Sequence, residues 1–323
     1  MPGSGAPDRV RLRSLAKINL DLRVLHKRPD GFHELRTIFQ TISLADTIEV
    51  EYQRGRSSIE LKSNIEIPGN LIVKAADLLM RSARATGRLR IRLTKRIPMG
   101  GGLGGGSSNA AAMLLALPKV LKRRLPLEKL LELGAELGSD VPFFLTGGTA
   151  LGIGRGTELY PLPDVSPSPG LLITPDIHSS TASAYAALNR QPKDEVTAAI
   201  TNNFQSVVLS ACSPMPNPQS PAINDFETVV FHQHPQLKSM KGKLLKLGAW
   251  RAMMTGSGSA LFGLFANRAI RDRAAGVFRK ELPGNRVYPF TMVSRGRYRA
   301  LWWRQLAVSS ESMKWPPQDR YAR

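Results

Sequence analysis

The feature that most constrains this chain is a glycine cluster that runs directly into an alanine-rich segment, residues 98–113, "PMGGGLGGGSSNAAAM". Six of the seven residues from 100 to 106 are glycine. Glycine lets the backbone approach a ligand and adopt positive φ, but ordering it costs conformational entropy, so a folded chain must compensate for such a cluster. Serines that can cap a helix follow, and alanine favours the helix itself. We therefore expect backbone N–H groups beside the positive end of a helix, which is a site for phosphate.

Two well-known phosphate motifs do not account for this loop. Walker A requires a lysine after the last glycine, where this chain has Ser107. Gly100, Gly102 and Gly105 satisfy G-x-G-x-x-G, but no acidic residue follows about 20 positions later, where the chain reads "KRRL". A flexible linker is the plain alternative. It is disfavoured because the cluster lies between the strand-like "IRLTKRIP" and a helix.

Hydrophobic periodicity predicts mixed strands and helices in an α+β fold. Strands are expected at "SLAKINLDLRVL", "DTIEVEYQ" and "LRIRLTKRI", and helices at "NLIVKAADLLMRSARATG", "SSNAAAMLLALPKVL" and "PLEKLLELGAELG". The proline-rich "PLPDVSPSPG" marks a boundary between a first domain, residues 1–165, and a second, residues 166–304. Residues 305–323 are polar and proline-broken, and they predict a loose C-terminal extension.

Composition limits the classes of function. The single cysteine excludes an intrachain disulfide, and neither a signal peptide nor a membrane span is evident, so a cytoplasmic protein is expected. The formal net charge of +20 indicates either a nucleic-acid partner or an anionic small-molecule substrate. The basic residues are dispersed rather than gathered in a DNA-reading module, which makes nucleic acid an unlikely partner.

Several motifs together give the chain a recognisable pattern. "PMGGGLGGGSSNAA" resembles the phosphate loop of the GHMP kinases, the superfamily of galactokinase, homoserine kinase and mevalonate kinase. "AKINLDLRVLHKRPDGFHELRTIFQTISLADTIEV", "LGSDVPFFLTGGTALGIGRGTEL" and "MMTGSGSALFGLF" resemble, in order, the branch that phosphorylates an alcohol of a cytidine-diphosphate-linked sugar alcohol in the non-mevalonate route to isoprenoids. The resemblance implies a two-domain fold, with a first domain like the second domain of ribosomal protein S5 and a ferredoxin-like second domain.

The resemblance implies an ATP site and a catalytic pair. Asp140, in "GSDVP", corresponds to the catalytic aspartate, and Lys17 to the lysine that keeps this aspartate charged and oriented. From the residues alone, Asp140 could equally be a helix cap and Lys17 could point to solvent. The expected ATP contacts are Asn70, Lys95, Pro98, Met99, Gly100, Gly101, Gly102, Leu103, Gly104, Gly105, Gly106, Ser107 and Ser108.

The acceptor site is expected around two aromatic residues. Phe32 and His33 follow the turn "PDG", and an aromatic ring beside an imidazole suits the face and the polar edge of a cytosine. By resemblance Tyr185 provides a second ring, Thr181 lies one helical turn before it, and Asn19 helps to place the acceptor. The family usually has Tyr where this chain has Phe32. The turn "TGSGSALFG" is expected to close the site near the phosphates.

Some properties stay open at this stage. ATP is the expected co-substrate and Mg²⁺ is expected with it, but no carboxylate cluster fixes metal ligands. The chain could be a monomer or a homodimer. A homoserine or mevalonate type of kinase would share the loop but has no use for "PDGFHEL" as a cytosine site. An S5-like RNA-binding protein is the alternative from another class.

Overall fold

The computed structural model describes residues 8–177, 179–191, 198–211, 222–307 and 315–317. Helices and strands alternate irregularly along these residues, as expected for an α+β fold. In chain order they are β1 (Asp8–Lys27), β2 (His33–Arg54), β3 (Ser58–Ser63), α1 (Leu71–Ser82), β4 (Gly87–Thr94), α2 (Gly105–Val120), α3 (Leu127–Leu137), α4 (Val141–Thr146), β5 (Thr149–Gly154), β6 (Glu158–Pro161), β7 (Pro169–Thr174), α5 (Thr181–Leu188), α6 (Ala198–Ala211), α7 (Phe226–Gln233), α8 (Pro235–Lys246), β8 (Ala249–Met254), β9 (Leu261–Phe265), α9 (Arg268–Glu281), β10 (Arg286–Thr291) and α10 (Arg295–Gln305).

The first sheet is built around one long strand. Strand β2 pairs with β1 along one edge, and its other edge pairs first with β5 and then with β4, because 22 residues are enough for two successive partners. The register of β1 against β2 shifts between Leu15 and Lys17 and again between Asn19 and Asp21. Such irregularities re-aim side chains, and here they flank the two polar residues of β1 that the sequence singles out.

Helices α1 to α4 form the core of the first half with this sheet. Residues 108–118 of α2 are all buried, which explains why the sequence after Asn109 is apolar on every side of the helix. Residues that alternate along β4, "GRLRIRLT", are buried and exposed in turn, so the arginines line the outer face of the sheet. Because α2 is buried against the first sheet, the glycine loop that precedes this helix is held at the edge of the core.

The second sheet has four antiparallel strands in the order β10-β7-β9-β8. Helices α7, α8 and α9 contribute apolar side chains to its core, among them Phe226, Leu244 and Phe278. Leu22 and Val24 of β1 belong to the same core, so the long first strand reaches into the second half of the molecule. This continuity fixes the two halves of the active-site region relative to each other.

Aromatic residues near the C-terminal end of the described chain pack on the first core. Tyr298 and Trp302 of α10 and the following Leu306 are buried in the first core, although they come after the second sheet. Trp315 donates from Nε1 to the carbonyl oxygen of Leu145 at 2.8 Å, and the Tyr298 hydroxyl donates to the carbonyl oxygen of Phe144. The described end of the chain is thus held by aromatic side chains that satisfy carbonyl groups of α4; residues 308–314 and 318–323 of the expected extension lie outside the described part.

Among the described residues, no helix combines the length and the apolar composition needed to cross a bilayer.

Candidate active site

A cavity of about 960 Å³ lies where the glycine loop meets the second half of the molecule. Its lining includes every residue proposed from the sequence except Ser107 and Ser108. These are Lys17, Asn19, Phe32, His33, Asn70, Lys95, Pro98, Met99, Gly100, Gly101, Gly102, Leu103, Gly104, Gly105, Gly106, Asp140, Thr181 and Tyr185. Residues far apart in the chain therefore line one concave site large enough for a nucleotide and an acceptor.

The glycine loop has the conformation that its composition predicts. Gly100, Gly102 and Gly104 all have positive φ, and Gly104 directly precedes the first residue of the 16-residue helix α2. A Cβ atom on Gly102 would lie 2.1 Å from the carbonyl oxygen of Thr255, and one on Gly104 would lie 2.9 Å from the ring of Phe144. The loop is therefore packed on its protein side and leaves its other side to the cavity, at the positive end of a long helix.

The glycine-serine turn that follows β8 contacts the loop directly. The Thr255 hydroxyl lies 3.3 Å from the carbonyl oxygen of Gly102, and the backbone N–H of Gly256 donates to Asn19 Oδ1 at 3.0 Å. Thr181 Oγ1 and Ser257 Oγ are 2.8 Å apart, which joins the start of α5 to the same turn. This turn is thus the junction between the loop, β1 and the helix that carries Tyr185.

The side-chain amide of Asn19 forms its hydrogen bonds with other protein groups. Its Oδ1 accepts hydrogen bonds from Lys17 Nζ at 2.8 Å and from Gly256, and its Nδ2 donates to Thr37 Oγ1 at 2.8 Å. Asn19 and Lys17 share one face of β1, as strand alternation predicts. The Asn19 side chain therefore fixes the Lys17 ammonium, whatever further contact it makes with an acceptor.

Lys17 and Asp140 form the ion pair at the centre of the site. Lys17 is 3% exposed, and its Nζ lies 3.4 Å from Asp140 Oδ2. The Lys17 backbone N–H also donates to the carbonyl oxygen of Leu103, which ties the pair to the glycine loop. Asp140 occupies the N-cap position of α4 but makes no capping hydrogen bond with its side chain. Of the alternatives that the sequence left open, the structure favours the buried partner for Lys17 and a carboxylate facing the cavity for Asp140.

The two loop serines have different surroundings from the glycines. Ser108 is buried, its hydroxyl donates to the carbonyl oxygen of Leu15 at 2.6 Å, and it lies 2.6 Å from the Ser14 hydroxyl. It therefore anchors α2 to β1 rather than facing the cavity. Ser107, the other predicted ATP contact, is half-buried and is not among the lining residues.

Asn70 and Lys95 lie beside the loop and are both held by the protein. Asn70 Oδ1 caps α1 by accepting from the backbone N–H of Ile72, while its buried Nδ2 has no partner among the described residues. Lys95 Nζ donates to Asp46 Oδ2 at 2.5 Å, and Asp46 also accepts from the backbone N–H groups of Arg96 and Ile97. Asp46 thus orders the segment that leads into the glycine loop.

The opposite end of the cavity is lined by aromatic rings. His33 stacks on Tyr185 with ring centroids 4.7 Å apart, and Tyr185 meets Phe226 edge to face. Phe32 is 47% exposed and is the last residue of the loop between β1 and β2, directly before His33. The imidazole thus lies against one face of Tyr185, and the guanidinium of Arg155 lies 3.6 Å from the centroid of the Phe32 ring.

Burial sets the protonation of this end of the site. Burial, with a contribution from the charge of Lys27, lowers the pKa of His33 below its ordinary value, which favours the neutral imidazole. Burial, with a contribution from the charge of Asp140, raises the pKa of Tyr185 to about 12. A neutral imidazole and a neutral phenol are suited to hydrogen-bonding and stacking with a neutral base.

Sequence reasoning missed three residues of the site. Asn109 lines the cavity from the first turns of α2, and its buried Oδ1 has no partner among the described residues. Arg155 lines the cavity from the turn between β5 and β6, and Asp46 supports Lys95 from the middle of β2. The sequence could have indicated Asn109, because it is the only polar residue between the loop serines and a run of eight apolar residues.

The fold and this site are those of a known class of protein. The GHMP kinases N terminal domain matches residues 70–148, and the GHMP kinases C terminal domain matches residues 215–284. A homoserine kinase from Cytophaga hutchinsonii superposes with a TM-score of 0.70 over 90% of this chain and 97% of its own, at 18% identity, and so shares the fold. The class defined by fold and loop is the GHMP kinases, as the sequence motifs predicted.

Closer relatives define the branch. The chain is 55% identical, over 97% of its length and 98% of the relative, to the 4-diphosphocytidyl-2-C-methyl-D-erythritol kinase of Solibacter usitatus, and 39% identical, over 86% and 93%, to that of Gloeobacter violaceus. A crystal structure of 4-(cytidine 5'-diphospho)-2C-methyl-D-erythritol kinase superposes with a TM-score of 0.73 at 34% identity, over 87% of this chain and 98% of the other. The chain belongs to the 4-diphosphocytidyl-2-C-methyl-D-erythritol kinase family.

Proposed function

We propose that this protein transfers the γ-phosphoryl group of ATP to the 2-hydroxyl of 4-diphosphocytidyl-2-C-methyl-D-erythritol, a step of the non-mevalonate route to isoprenoids. The observation that carries the proposal is that one cavity is lined by both the glycine loop and the aromatic rings. The Lys17–Asp140 pair is tied to the loop through Leu103, and the charge of Asp140 acts on Tyr185. These contacts support the pair as the place where the phosphate of ATP and the nucleoside-linked alcohol meet.

The proposed roles follow from what phosphoryl transfer requires. The reaction needs positioning, neutralisation of phosphate charge and removal of the acceptor proton. The N–H groups of the glycine loop and the N-terminus of α2 bind the phosphates of ATP. Asp140 accepts the proton of the attacking hydroxyl, and Lys17, held by Asn19, keeps the carboxylate oriented. The net charge of +20 also favours the approach of two anionic substrates.

Magnesium is part of this proposal, and the residues present suit it. Mg²⁺ binds oxygen ligands and usually keeps several waters, with few protein ligands besides the substrate phosphates. Asn109 offers a buried oxygen without a partner at the cavity wall, close in sequence to the phosphate loop. Asn109 would hold the ion, and the bound ion would neutralise the charge of the β- and γ-phosphates.

The other acceptor classes fit the rings less well. The homoserine and mevalonate types of kinase share the fold, but their acceptors carry no base, whereas Phe32, His33 and Tyr185 offer stacking surfaces and a neutral imidazole. We propose no nucleic-acid partner, since the cavity and its ion pair have no role in an RNA-binding surface. A cytoplasmic location suits the single cysteine of the chain.

The experiment is ADP release measured with a coupled assay on three acceptors at equal concentration. We expect turnover with 4-diphosphocytidyl-2-C-methyl-D-erythritol and less than about 1% of that rate with homoserine or mevalonate, because a base-binding site left unfilled loses binding energy at the transition state. Phosphorylation of homoserine or mevalonate at a comparable rate would overturn the assignment. Tight RNA binding at physiological salt without kinase turnover would favour the other class.

A further inference from the structure

Three cationic side chains line the described part of the cavity, and one of them has no anionic partner. Lys17 pairs with Asp140 at 3.4 Å and Lys95 with Asp46 at 2.5 Å. Arg155 also lines the cavity, forms no ion pair within 4.0 Å in the described part of the chain, and has a buried Nε without a hydrogen-bond partner. A guanidinium that faces a cavity with unused donors is suited to bind an anion.

The position of Arg155 is fixed by its neighbours. Its guanidinium carbon lies 3.6 Å from the centroid of the Phe32 ring. The backbone N–H of Gly154 donates to Glu34 Oε1 at 3.1 Å, so the turn that carries Arg155 is attached to the strand that follows the Phe32 loop. Arg28 ties the same loop together by pairing with Asp30 and Glu34. The face of Arg155 is used on Phe32, while its N–H edge stays available.

Asp30, an acidic residue of the loop that carries Phe32, forms no ion pair with Arg155 in the described part of the chain. Asp30 accepts from the Phe32 backbone N–H at 3.1 Å and from Arg28 Nε at 3.2 Å. Desolvation raises the pKa of Asp30, but the Phe32 N–H, Arg28 and the charge of Arg155 together hold it below its ordinary value. Asp30 therefore helps to keep Arg155 beside the loop without forming a direct ion pair.

The acceptor proposed above carries a diphosphate next to its nucleoside, and that diphosphate needs its own counter-charge. The glycine loop would be occupied by ATP, while Lys17 and Lys95 are already paired. A phosphate group moved from water into a cavity without a charged or hydrogen-bonding partner is strongly disfavoured. Arginine is the side chain that best matches phosphate oxygens, through two parallel N–H donors.

We infer that Arg155 binds the diphosphate of the nucleoside substrate while its guanidinium stacks on Phe32. One residue would then contact both the phosphates and the ring on which the base stacks. The inference rests on the proposed function, because it needs an acceptor of the cytidine diphosphate class. It makes Arg155 a residue that distinguishes a nucleoside diphosphate from the bare nucleoside.

The test compares the affinities of CDP and cytidine, measured by titration calorimetry on the full chain. Arg155→Gln keeps a planar group for Phe32 and removes the charge. We expect it to weaken CDP binding about 10- to 100-fold, the range for hydrogen bonds to a charged group, and to change cytidine binding less than about 3-fold. The KM for the full substrate should rise similarly, with kcat within about 3-fold of wild type.

Two further variants keep the result decisive. Arg279→Gln, at an exposed position on α9, changes the net charge equally and should leave the preference for CDP unchanged. Arg155→Lys keeps the charge and should retain more of the CDP preference than Arg155→Gln. Melting temperatures of all variants show whether any of them is misfolded.

Several results would overturn the inference. If Arg155→Gln weakened CDP and cytidine by the same factor, Arg155 would only support Phe32. Equal CDP affinities in the Gln and Lys variants, or an equal loss in Arg279→Gln, would exclude a specific phosphate contact. A wild-type chain that turns over the substrate but shows no CDP preference overturns this inference alone. One that binds neither CDP nor cytidine and has no turnover overturns the proposed function as well.

Discussion

The two ends of the cavity are built in opposite ways. The phosphate end, at the glycine loop, is formed by the backbone. Gly102 lies against Thr255 and Gly104 against Phe144, and a Cβ atom on either glycine would lie within 3 Å of its neighbour. The nucleoside end is formed by side chains: Phe32 is half exposed, and the His33 ring stacks on Tyr185. One end is therefore shaped by close packing of the backbone, and the other by the contacts of individual side chains.

This difference predicts which substitutions each end of the cavity should tolerate. A phosphate offers the same oxygen atoms in every nucleotide, so a rigid set of N–H groups can bind it. A base is recognised by its face and its edge, which side chains can match one position at a time. We expect substitutions at the phosphate end to affect folding and ATP together, and substitutions at the nucleoside end to affect one substrate only.

The largest effect is expected at the junction of the two ends. Asp140→Asn should lower kcat about 10²- to 10⁴-fold, the usual contribution of a positioned base, with little change in melting temperature because the side chain is 32% exposed. Glu136→Gln, an exposed acid on the preceding helix, is the matched control and should be unaffected. Near-native turnover of Asp140→Asn in a coupled assay would remove Asp140 from the mechanism.

At the phosphate end, Gly104→Val should weaken ATP binding at least about 10-fold and lower the melting temperature. Valine is strained at φ +65° and its Cβ would lie 2.9 Å from the Phe144 ring and 3.2 Å from Lys17 Cγ. Gly242→Val, at a helical position with nothing within 4 Å of the new Cβ, serves as the control. A folded Gly104→Val variant with an unchanged ATP Kd would show that the loop is only structural.

At the nucleoside end, Phe32→Ala should raise the Kd of the cytidine-linked substrate about 5- to 150-fold and leave ATP affinity unchanged, since a base stacked on an aromatic ring contributes about 1–3 kcal/mol. Phe32→Tyr keeps the ring and should be nearly neutral. Tyr160→Ala removes an equally exposed ring outside the cavity and controls for surface effects. Parallel loss of ATP affinity in Phe32→Ala would contradict the separation of the two ends.

The smallest effect is expected from the C-terminal aromatic cluster, which supports the phosphate end from behind. Trp315→Ala should lower the free energy of unfolding by about 1–2 kcal/mol, because it removes a packed ring and leaves the Leu145 carbonyl without its donor. Trp315→Phe keeps an aromatic ring but removes the hydrogen bond to the Leu145 carbonyl, so it measures the contribution of that bond. Truncation after Gln305, which the sequence alone predicts to be harmless, should show the same loss of stability, measured by urea unfolding. Unchanged stability would mean that the cluster only rests on the surface.

The phosphate loop and its helix could be predicted because their information is local. Glycines, cap-competent serines and alanines follow one another within sixteen residues, and each favours the same conformation as its neighbours. The strand that carries Lys17 and Asn19 could be predicted from alternation, which also places both residues on one face. The GHMP kinase family was recognisable from the glycine loop and three further motifs.

What only the tertiary structure decided are relations between residues distant in the chain. The sequence does not reveal that Asp46 and Lys95 form an ion pair. It also does not reveal that the Ser108 hydroxyl donates to the carbonyl oxygen of Leu15 and so points away from the cavity. It places Arg155 in an ordinary glycine turn, whereas the fold sets the guanidinium on Phe32. Backbone preferences act between neighbours and can be read along the chain. Ion pairs, ring stacks and unpartnered donors depend on packing, because burial determines which polar groups must find a partner.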